Sequence, residues 1–225
     1  MSNGSLETLL HNTIEDSDST NPSLNLMQRV NIALDLAFAL DYLHNDSGEA
    51  IIHCDIKPSN VLLDDDIVAH LEDFGLARLV QGDRSYSTSN HGSSSTIKGT
   101  IRYVPPEYGA GGPVSPQGDI YRYGILLLEI LTGKKPTDDM FGEDLSLHKF
   151  CKKAIPERIT EIVDSRLLIP FGEGERKITQ KQSIKECIVS FARIGVACSQ
   201  EFPTRRMNIK DVVMELHAIK RKLLP

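Results

Sequence analysis

The chain has 225 residues, of which 40% are hydrophobic and 25% are charged, an ordinary composition for a globular protein of one large or two small domains. It carries 25 Lys and Arg against 31 Asp and Glu, and this net charge of −6 without a basic block excludes an obvious nucleic-acid surface. Four widely spaced cysteines form no CxxC pair, so they predict reduced thiols and neither a zinc knuckle nor a dithiol motif.

The first residues are polar and lack the charged and apolar regions of a signal peptide. The longest apolar run, residues 125–128, is far too short to cross a bilayer. As written, the chain is therefore expected to be cytoplasmic and to make no membrane contact of its own.

The first half of the chain predicts helix, then short strands. Residues 3–11 predict a short amphipathic helix at best, and residues 12–23 a loop. From residue 24 to 44, apolar side chains recur at spacings of three and four, which predicts a long buried helix. Two strand-like runs, 61–63 and 67–71, are joined by three aspartates, for which a solvated turn is favoured over a metal site.

Nine of the twelve residues from 85 to 96 carry a hydroxyl group. Such a segment buries too little apolar surface to be fixed by packing. It is either a plain linker or a regulated loop, and its position shortly after the triplet at 73–75 favours the regulated loop.

The second half of the chain predicts helices almost throughout. Residues 117–132 are apolar on nearly all sides and predict the central core helix, ended at Gly133. A helix is expected from Asp144 to about Ala154, then a short buried segment within 159–168 and a surface loop over 170–182. Two helices, about 183–199 and 208–223, close the chain, the second with Asn208 as its N-cap. The fold class is therefore mainly α.

The chemistry concentrates in residues 53–63, which read HCDIKPSNVLL, followed by the triplet DFG at 73–75. An aspartate alone in a loop is usually a cap or a turn former. Here Asp55 stands in the pattern His-x-Asp-x-Lys-x-x-x-Asn, which fixes four residue types at once. Phosphoryl transfer needs a carboxylate for a hydroxyl proton, a cation near the phosphate and oxygen ligands for magnesium.

This stretch resembles the catalytic loop (53–60) and the magnesium-binding loop (73–75) of eukaryotic protein kinases. The resemblance implies that Asp55 is the catalytic base and that Lys57 steadies the transferring phosphate. It implies that Asn60 and Asp73 bind Mg²⁺, and that Leu62 lines the floor of the adenine site of ATP.

The resemblance also implies supporting roles. His53 would hold the loop by hydrogen bonds, and Asp119, in the sequence GDIY, would anchor the loop backbone. Glu107 in PPEY would close an activation segment spanning 73–107. Its implied ion-pair partner is Arg206, with Arg205 as the competing candidate.

A serine/threonine specificity is implied by two residues. Lys57 lies in the sequence DIKPSN, which is similar to the serine/threonine subclass rather than the tyrosine subclass. Thr100, in the sequence GTIRY, is similar to the residue that bonds the catalytic Asp and Lys of that subclass.

The whole chain is most similar to the kinase domain of plant leucine-rich-repeat receptor-like serine/threonine kinases. The segments that carry this likeness are SNGSLE (2–7), ALDYLH (39–44), LAR (76–78), TIRYV (100–104), GILLLE (124–129) and RMN (206–208). The likeness implies ATP and a protein substrate as partners, with a co-receptor kinase as a further candidate. It also implies a parent receptor in the plasma membrane that carries this domain on the cytosolic side.

Some residues depart from the family pattern. Cys54 stands where most kinases carry an Arg that pairs with a phosphorylated activation loop. Cysteine cannot make that contact, so phosphorylation of the loop is not expected to switch this site in the usual way. Pro105 replaces a usual Ala, Arg102 a usual Gly and Arg122 a usual Ser, and the two arginines are expected to disturb the segment or the core helix.

The 225 residues contain no GxGxxG loop, no Val-Ala-x-Lys strand and no GxxxxGK[ST] loop. The expected architecture is therefore the C-terminal helical lobe of the kinase fold (1–225), with short β-hairpins around the catalytic loop and the N-terminal β lobe absent. Negligible kinase activity is expected of this chain alone. The alternative is a non-catalytic, kinase-derived binding module or decoy.

Overall fold

The computed structural model of the protein describes residues 1–11, 23–80, 102–142, 144–168 and 176–224. Thr100 and the hydroxyl-rich run at 85–96 lie outside these residues, so the role expected of Thr100 stays a prediction.

The described chain is mainly helical, as the sequence predicts. The α-helices are α1 (Leu6–His11), α2 (Leu26–Asp41), α3 (Pro106–Gly109), α4 (Pro116–Thr132), α5 (Leu147–Ala154), α6 (Ile159–Ile162), α7 (Arg176–Cys198) and α8 (Ile209–Leu223). The strands are β1 (Ala50–Ile52), β2 (Val61–Leu63), β3 (Ala69–Leu71) and β4 (Arg78–Val80). One π-helical turn, Tyr42–Asp46, directly follows α2. No described helix is long and apolar enough to span a membrane.

The strands form two antiparallel pairs that hold the two loops of the candidate site. In one pair, β1 faces β4 with Ile52 opposite Arg78; in the other, β2 faces β3 with Leu62 opposite His70. β1 leads into the loop that begins at His53, and the loop's end runs into β2. Both loops therefore start and end on paired strands.

The core lies around α4, where 14 of the 17 residues are buried. It packs against α7 at two glycines: a Cβ on Gly124 would lie 2.6 Å from the Ser199 nitrogen, and one on Gly195 would lie 2.6 Å from Leu128 Cδ2. Only glycine permits so close an approach of two helices. Gly133 ends α4 in the left-handed conformation, with φ of 66°.

Helix α2 runs along the core with nine buried residues. It begins one residue after Asn25, whose side chain accepts a hydrogen bond from the Gln28 N–H while the Gln28 side chain accepts one from the Asn25 N–H. This capping box explains why the helix starts at Leu26 and not at residue 24.

Two further helix boundaries differ from the sequence prediction. α7 begins at Arg176 and not near residue 183, because Lys, Gln and Arg in residues 176–182 are good helix formers even though their polarity suggests a loop. α5 begins at Leu147 and not at Asp144, since the Ser146 hydroxyl accepts a hydrogen bond from the Lys149 N–H and caps the helix. The N-cap predicted at Asn208 is confirmed by its bond from the Lys210 N–H.

Candidate active site

The loop that begins at His53 is fastened to the core helix by Asp119. The fully buried carboxylate of Asp119 accepts hydrogen bonds from the backbone N–H of His53 (2.8 Å) and of Cys54 (2.9 Å). The imidazole Nε2 of His44, in the middle of the π-helical turn, lies 3.0 Å from the same carboxylate. The core helix therefore fixes where the loop starts.

Cys54 has a left-handed backbone, with φ of 69°, which side chains other than glycine adopt rarely and at a cost. The bond from its N–H to Asp119 holds it there. The thiol is buried and lies 3.5 Å from the Ile52 carbonyl oxygen. Burial raises its pKa to about 11, so the group is a neutral thiol at pH 7.

The loop brings Asp55, Lys57 and Asn60 into direct contact. The Asp55 carboxylate oxygen Oδ2 accepts hydrogen bonds from the Lys57 ammonium (2.7 Å) and from the Asn60 amide (3.1 Å). A single 3₁₀ turn, Pro58–Asn60, folds the chain back so that the Asn60 amide also reaches the Asp55 carbonyl at 2.8 Å. Because Asp55 and Asn60 are buried, these bonds fix the orientation of the carboxylate.

The His53 side chain makes hydrogen bonds that hold the loop in its conformation. Its Nε2 lies 2.9 Å from the Glu72 carbonyl oxygen, and its Nδ1 accepts a bond from the Asp55 N–H at 3.3 Å. These partners require a neutral ring with the proton on Nε2, and burial lowers the pKa of His53 in agreement. The ring also meets Phe74 edge-on at 4.8 Å. His53 is thus occupied by structural contacts.

Asp73 lies on the second loop with a left-handed backbone, φ 63°, and its side chain accepts a bond from the Gly75 N–H at 3.3 Å. The Glu72 N–H donates to the Asn60 carbonyl at 2.9 Å, which places the start of this loop beside Asn60. Asp73 and its neighbours to Gly75 are exposed. The site therefore offers one amide and one carboxylate from adjoining loops.

These two groups fit magnesium. Mg²⁺ prefers oxygen ligands and is commonly held by only one or two protein groups together with water and substrate phosphates. The Asn60 amide nitrogen is bound to Asp55, which turns the amide oxygen to the opposite side of the planar group. Among the residues that the structure describes, no cluster of three His, Cys, Asp or Glu side chains provides a more complete metal cage.

Leu62, on β2, is half-buried opposite His70. The N-terminal residues lie along this strand, because Asn3 donates its N–H to the Leu63 carbonyl (3.2 Å) and Gly4 accepts from the Leu63 N–H (2.9 Å). Leu62 is thus close to both the N-terminus and the loop at 53–60.

Glu107 and Arg206 form a two-pronged ion pair. Arg206 Nη1 donates to Glu107 Oε1 at 2.7 Å and Nη2 donates to Oε2 at 2.6 Å. The guanidinium also bonds three backbone carbonyls, those of Gln117, Gln200 and Glu201, and lies 4.9 Å from the Tyr121 ring. Its side chain is only 1% exposed, so every donor is used within the protein. Arg205, the competing candidate, instead lies over the Phe202 ring at 5.0 Å.

A family model of the protein kinase domain matches residues 1–216. The chain belongs to the protein kinase family. Its mainly helical structure, with short hairpins beside the catalytic loop, is that of the helical lobe of this fold.

Receptor-like kinases of plants resemble this kinase chain over nearly its whole length. It is 45% identical over 224 residues to a probable LRR receptor-like serine/threonine-protein kinase of Arabidopsis thaliana, 46% over 226 residues to the receptor kinase-like protein Xa21 of Oryza sativa subsp. japonica, and 43% over 225 residues to the LRR receptor-like serine/threonine-protein kinase EFR of Arabidopsis thaliana. Each match covers 99% of this chain but only 22%, 22% and 20% of the respective relative. The chain thus spans about a fifth of the length of these proteins.

The sequence did not predict a hydrogen-bond network of three polar side chains in this kinase chain, those of Glu129, Tyr103 and His11. Glu129, buried on α4, accepts a hydrogen bond from the Tyr103 hydroxyl and lies 2.7 Å from His11 Nε2. Burial raises the pKa of Glu129, while these two partners oppose the rise. The one signal available was an acid inside the apolar run of α4, which predicts a buried partner for it. The network ties α1 and the segment after residue 101 to the core helix.

Proposed function

We propose that this chain supplies the lower half of a serine/threonine kinase active site, and that it transfers the γ-phosphate of ATP to protein hydroxyl groups once an upper lobe completes it. The observation that carries the proposal is the contact of Asp55 Oδ2 with both Lys57 and Asn60, on a loop anchored by Asp119. Receptor signalling by the parent protein follows from the likeness to the plant receptor kinases.

In this proposal Asp55 receives the proton of the substrate hydroxyl. The charge-assisted bonds from Lys57 and Asn60 hold its carboxylate in one orientation, which positions it toward an incoming hydroxyl group. Lys57 is the cation nearest this carboxylate and steadies the phosphate as it moves, a role that agrees with its 23% exposed side chain.

Magnesium and ATP are the proposed cofactor and co-substrate. Asn60 and Asp73 would hold the metal, and Leu62 would meet the adenine ring. Mg²⁺ held there would neutralise the charge that develops on the phosphate oxygens. The residues of this chain position the hydroxyl group, the proton acceptor and the metal ligands.

The chain alone is proposed to have negligible activity. Its 225 residues contain neither a Gly-rich loop to cover the phosphates nor a strand lysine to clamp them. Correct positioning of reacting groups is worth about 7–11 kcal/mol of the barrier in favourable cases. A site that holds only one side of the nucleotide loses much of that contribution.

A second candidate function is that of a non-catalytic binding module. Three apolar side chains beside the magnesium loop are exposed to water: Phe74 (48%), Leu79 (66%) and Val80 (39%). Exposed apolar patches mark surfaces that contact other proteins. In this function one or more of these exposed side chains would contact a partner protein without phosphoryl transfer.

One experiment separates the two functions. Transfer of labelled phosphate to a protein substrate is measured for the chain alone and for the chain joined to the upper lobe of a receptor-kinase relative. We expect phosphoserine and phosphothreonine from the joined protein and none above background from the chain alone. Transfer by the chain alone, abolished by Asp55→Ala, would contradict the inactivity proposal. An inert joined protein that still binds a partner, with binding lost in Leu79→Asp, would favour the binding module.

A further inference from the structure

Helices α2 and α8 lie side by side and run in opposite directions. Near the start of α2, Leu26 lines one cavity together with Leu223, which lies at the end of α8. Near the end of α2, the Phe38 ring meets the His217 ring of α8, with 5.8 Å between the ring centroids. The two helices are therefore antiparallel, so the turn that follows Phe38 and the turn that precedes His217 lie next to each other.

Large apolar side chains are exposed at this end of the helix pair. Tyr42 follows Phe38 by four residues with helical backbone angles, so the two side chains share one face. Met214 precedes His217 by three residues in α8 and shares its face in the same way. Phe38 is 49% exposed, Tyr42 59% and Met214 62%, and we call these three residues the apolar patch. Exposed apolar side chains that lie together mark a contact surface between proteins.

The groove beside the apolar patch has one acidic wall and one basic wall. Phe38 lines this groove of about 280 Å³, whose floor is α2 and whose walls are the turn between β2 and β3 and one side of α8. Asp66 lies in the turn and Lys220 lies on α8. The Asp35 carboxylate on the floor accepts a hydrogen bond from the Ala69 N–H of β3, which places a second negative charge on the side of the turn. Neither Asp66 nor Lys220 forms an ion pair with a residue that the structure describes.

A two-fold axis parallel to α2 makes this face complementary to itself. Such an axis brings the apolar patch of one copy against the apolar patch of the other. It also exchanges the two sides of the groove, so the acidic wall of each copy lies opposite the basic wall of the other copy. An isologous interface repeats every contact, and opposite charges therefore face each other twice. A two-fold axis across α2 would instead bring like charges together.

We propose that two copies of this chain associate through this face of α2 and α8, with their α2 helices parallel. Phe38, Tyr42 and Met214 of one copy pack against the same residues of the second copy, and water leaves their surfaces. Asp66 of each copy faces Lys220 of the other. Because the contact has few apolar anchors, we expect a reversible pair with a Kd on the order of 10⁻⁵ M. The pair depends neither on phosphoryl transfer nor on an upper lobe, so its test is independent of the proposed function.

Sedimentation velocity of the 225-residue chain, between about 1 and 200 μM, tests the association. We expect the mean sedimentation coefficient to rise with concentration toward the value of a dimer. Tyr42→Asp, at an exposed side chain, is expected to keep the circular dichroism of the parent and to raise the Kd at least about tenfold. Phe202→Asp, at an apolar side chain of similar exposure outside the two helices, is the matched control and should associate as the parent does. A chain that stays monomeric at every concentration would show that the proposal is wrong.

Charge reversal tests the orientation of the pair. Asp66→Lys and Lys220→Glu are each expected to raise the Kd about tenfold, because each places like charges opposite one another twice. An equimolar mixture of the two variants should form a mixed pair at about the affinity of the parent, since both contacts then join opposite charges. A mixture as weak as either variant alone would overturn the proposed orientation. Association that survives Tyr42→Asp but is lost in Leu79→Asp would overturn the proposed face, and this arm decides even if Lys220→Glu fails to fold.

Discussion

Asp119 on the core helix accepts a hydrogen bond of 2.9 Å from the backbone N–H of Cys54, a residue held at a φ of 69°. A buried carboxylate thus supports an unfavourable backbone conformation at the start of the candidate catalytic loop. The next residue is Asp55, so the position of the candidate base depends on a side chain from another element. This relationship links the stability of the core to the geometry of the site.

Asp119→Asn is predicted to lower the free energy of unfolding by about 1–3 kcal/mol. The two oxygens of Asp119 accept from two backbone N–H groups, and an amide would present one oxygen and one NH₂ donor to them. Urea unfolding followed by circular dichroism measures the change. Asp65→Asn, in the exposed turn between β2 and β3, is the matched control, and equal effects of the two substitutions would contradict the account.

Arg206→Ala is predicted to destabilise the chain by about 3–5 kcal/mol, whereas Arg205→Ala changes stability by less than about 1 kcal/mol. Removal of Arg206 leaves the mostly buried Glu107 and several backbone carbonyls without their donor, while the Arg205 guanidinium lies over the exposed Phe202 ring. The two neighbours differ by one position, so the comparison controls for charge. Similar losses from both would reject the assigned pair.

Asp164 is predicted to make the free energy of unfolding depend on pH in the acidic range. Burial opposes ionisation of its carboxyl group, but the hydrogen bonds and charges of Arg166 and Arg29 together hold its pKa at about 2. A carboxyl group with a lowered pKa in the folded state stabilises above its unfolded pKa, and that contribution is lost as the pH falls from about 4 toward 2.

The size of this contribution is about 2 kcal/mol at pH 7. Urea unfolding of the parent and of Asp164→Asn between pH 7 and pH 2.5 measures it. The difference in stability between the two proteins should shrink as the pH falls through that window. A difference that stays constant down to pH 2.5 would show that the Asp164 carboxylate is not held by the two arginines.

The cysteines are predicted to be unreactive in the folded chain. All four are buried, and burial raises the pKa of each, to about 11 for Cys54 and about 12 for Cys151. The thiolate is the reactive form, so an aromatic disulfide reagent at pH 8 should label none of them within minutes and all four after denaturation. Fast labelling of Cys54 in the native chain would contradict its assigned environment.

The sequence predicts most of the helices because their apolar residues recur at regular spacings over long stretches. The core helix and α2 follow from spacings of three and four, and Asn208 and Gly133 mark ends that depend on local geometry alone. The start of α7 was not predictable, since polar residues with good helix propensity resemble a loop. β1 and β4 are three residues each and give no periodic signal.

The sequence predicted which residues form the candidate site, but it did not predict which of their atoms are in contact. The motif around Asp55 names the residues that meet, yet nothing local reports that His44 shares the carboxylate of Asp119. Arg122 was expected to disturb the segment or the core helix. Helix α4 is nevertheless continuous through this residue, and the unfavourable effect of Arg122 is that two of its buried nitrogens, Nε and Nη2, lack hydrogen-bond partners among the described residues. Such contacts between residues far apart in the sequence depend on how the helices pack against one another. The spacing of apolar residues along the sequence does not specify that packing.

The central claim is that Asp55 is the proton acceptor of a kinase site. The most direct test compares kcat of the joined, complete kinase with that of its Asp55→Asn and Asp65→Asn variants, together with their affinity for ATP. We predict that Asp55→Asn lowers kcat by about 10²–10⁴-fold and leaves ATP binding within a few-fold of the parent, while Asp65→Asn changes neither. An Asp55→Asn variant that transfers phosphate at the parent rate would contradict the account.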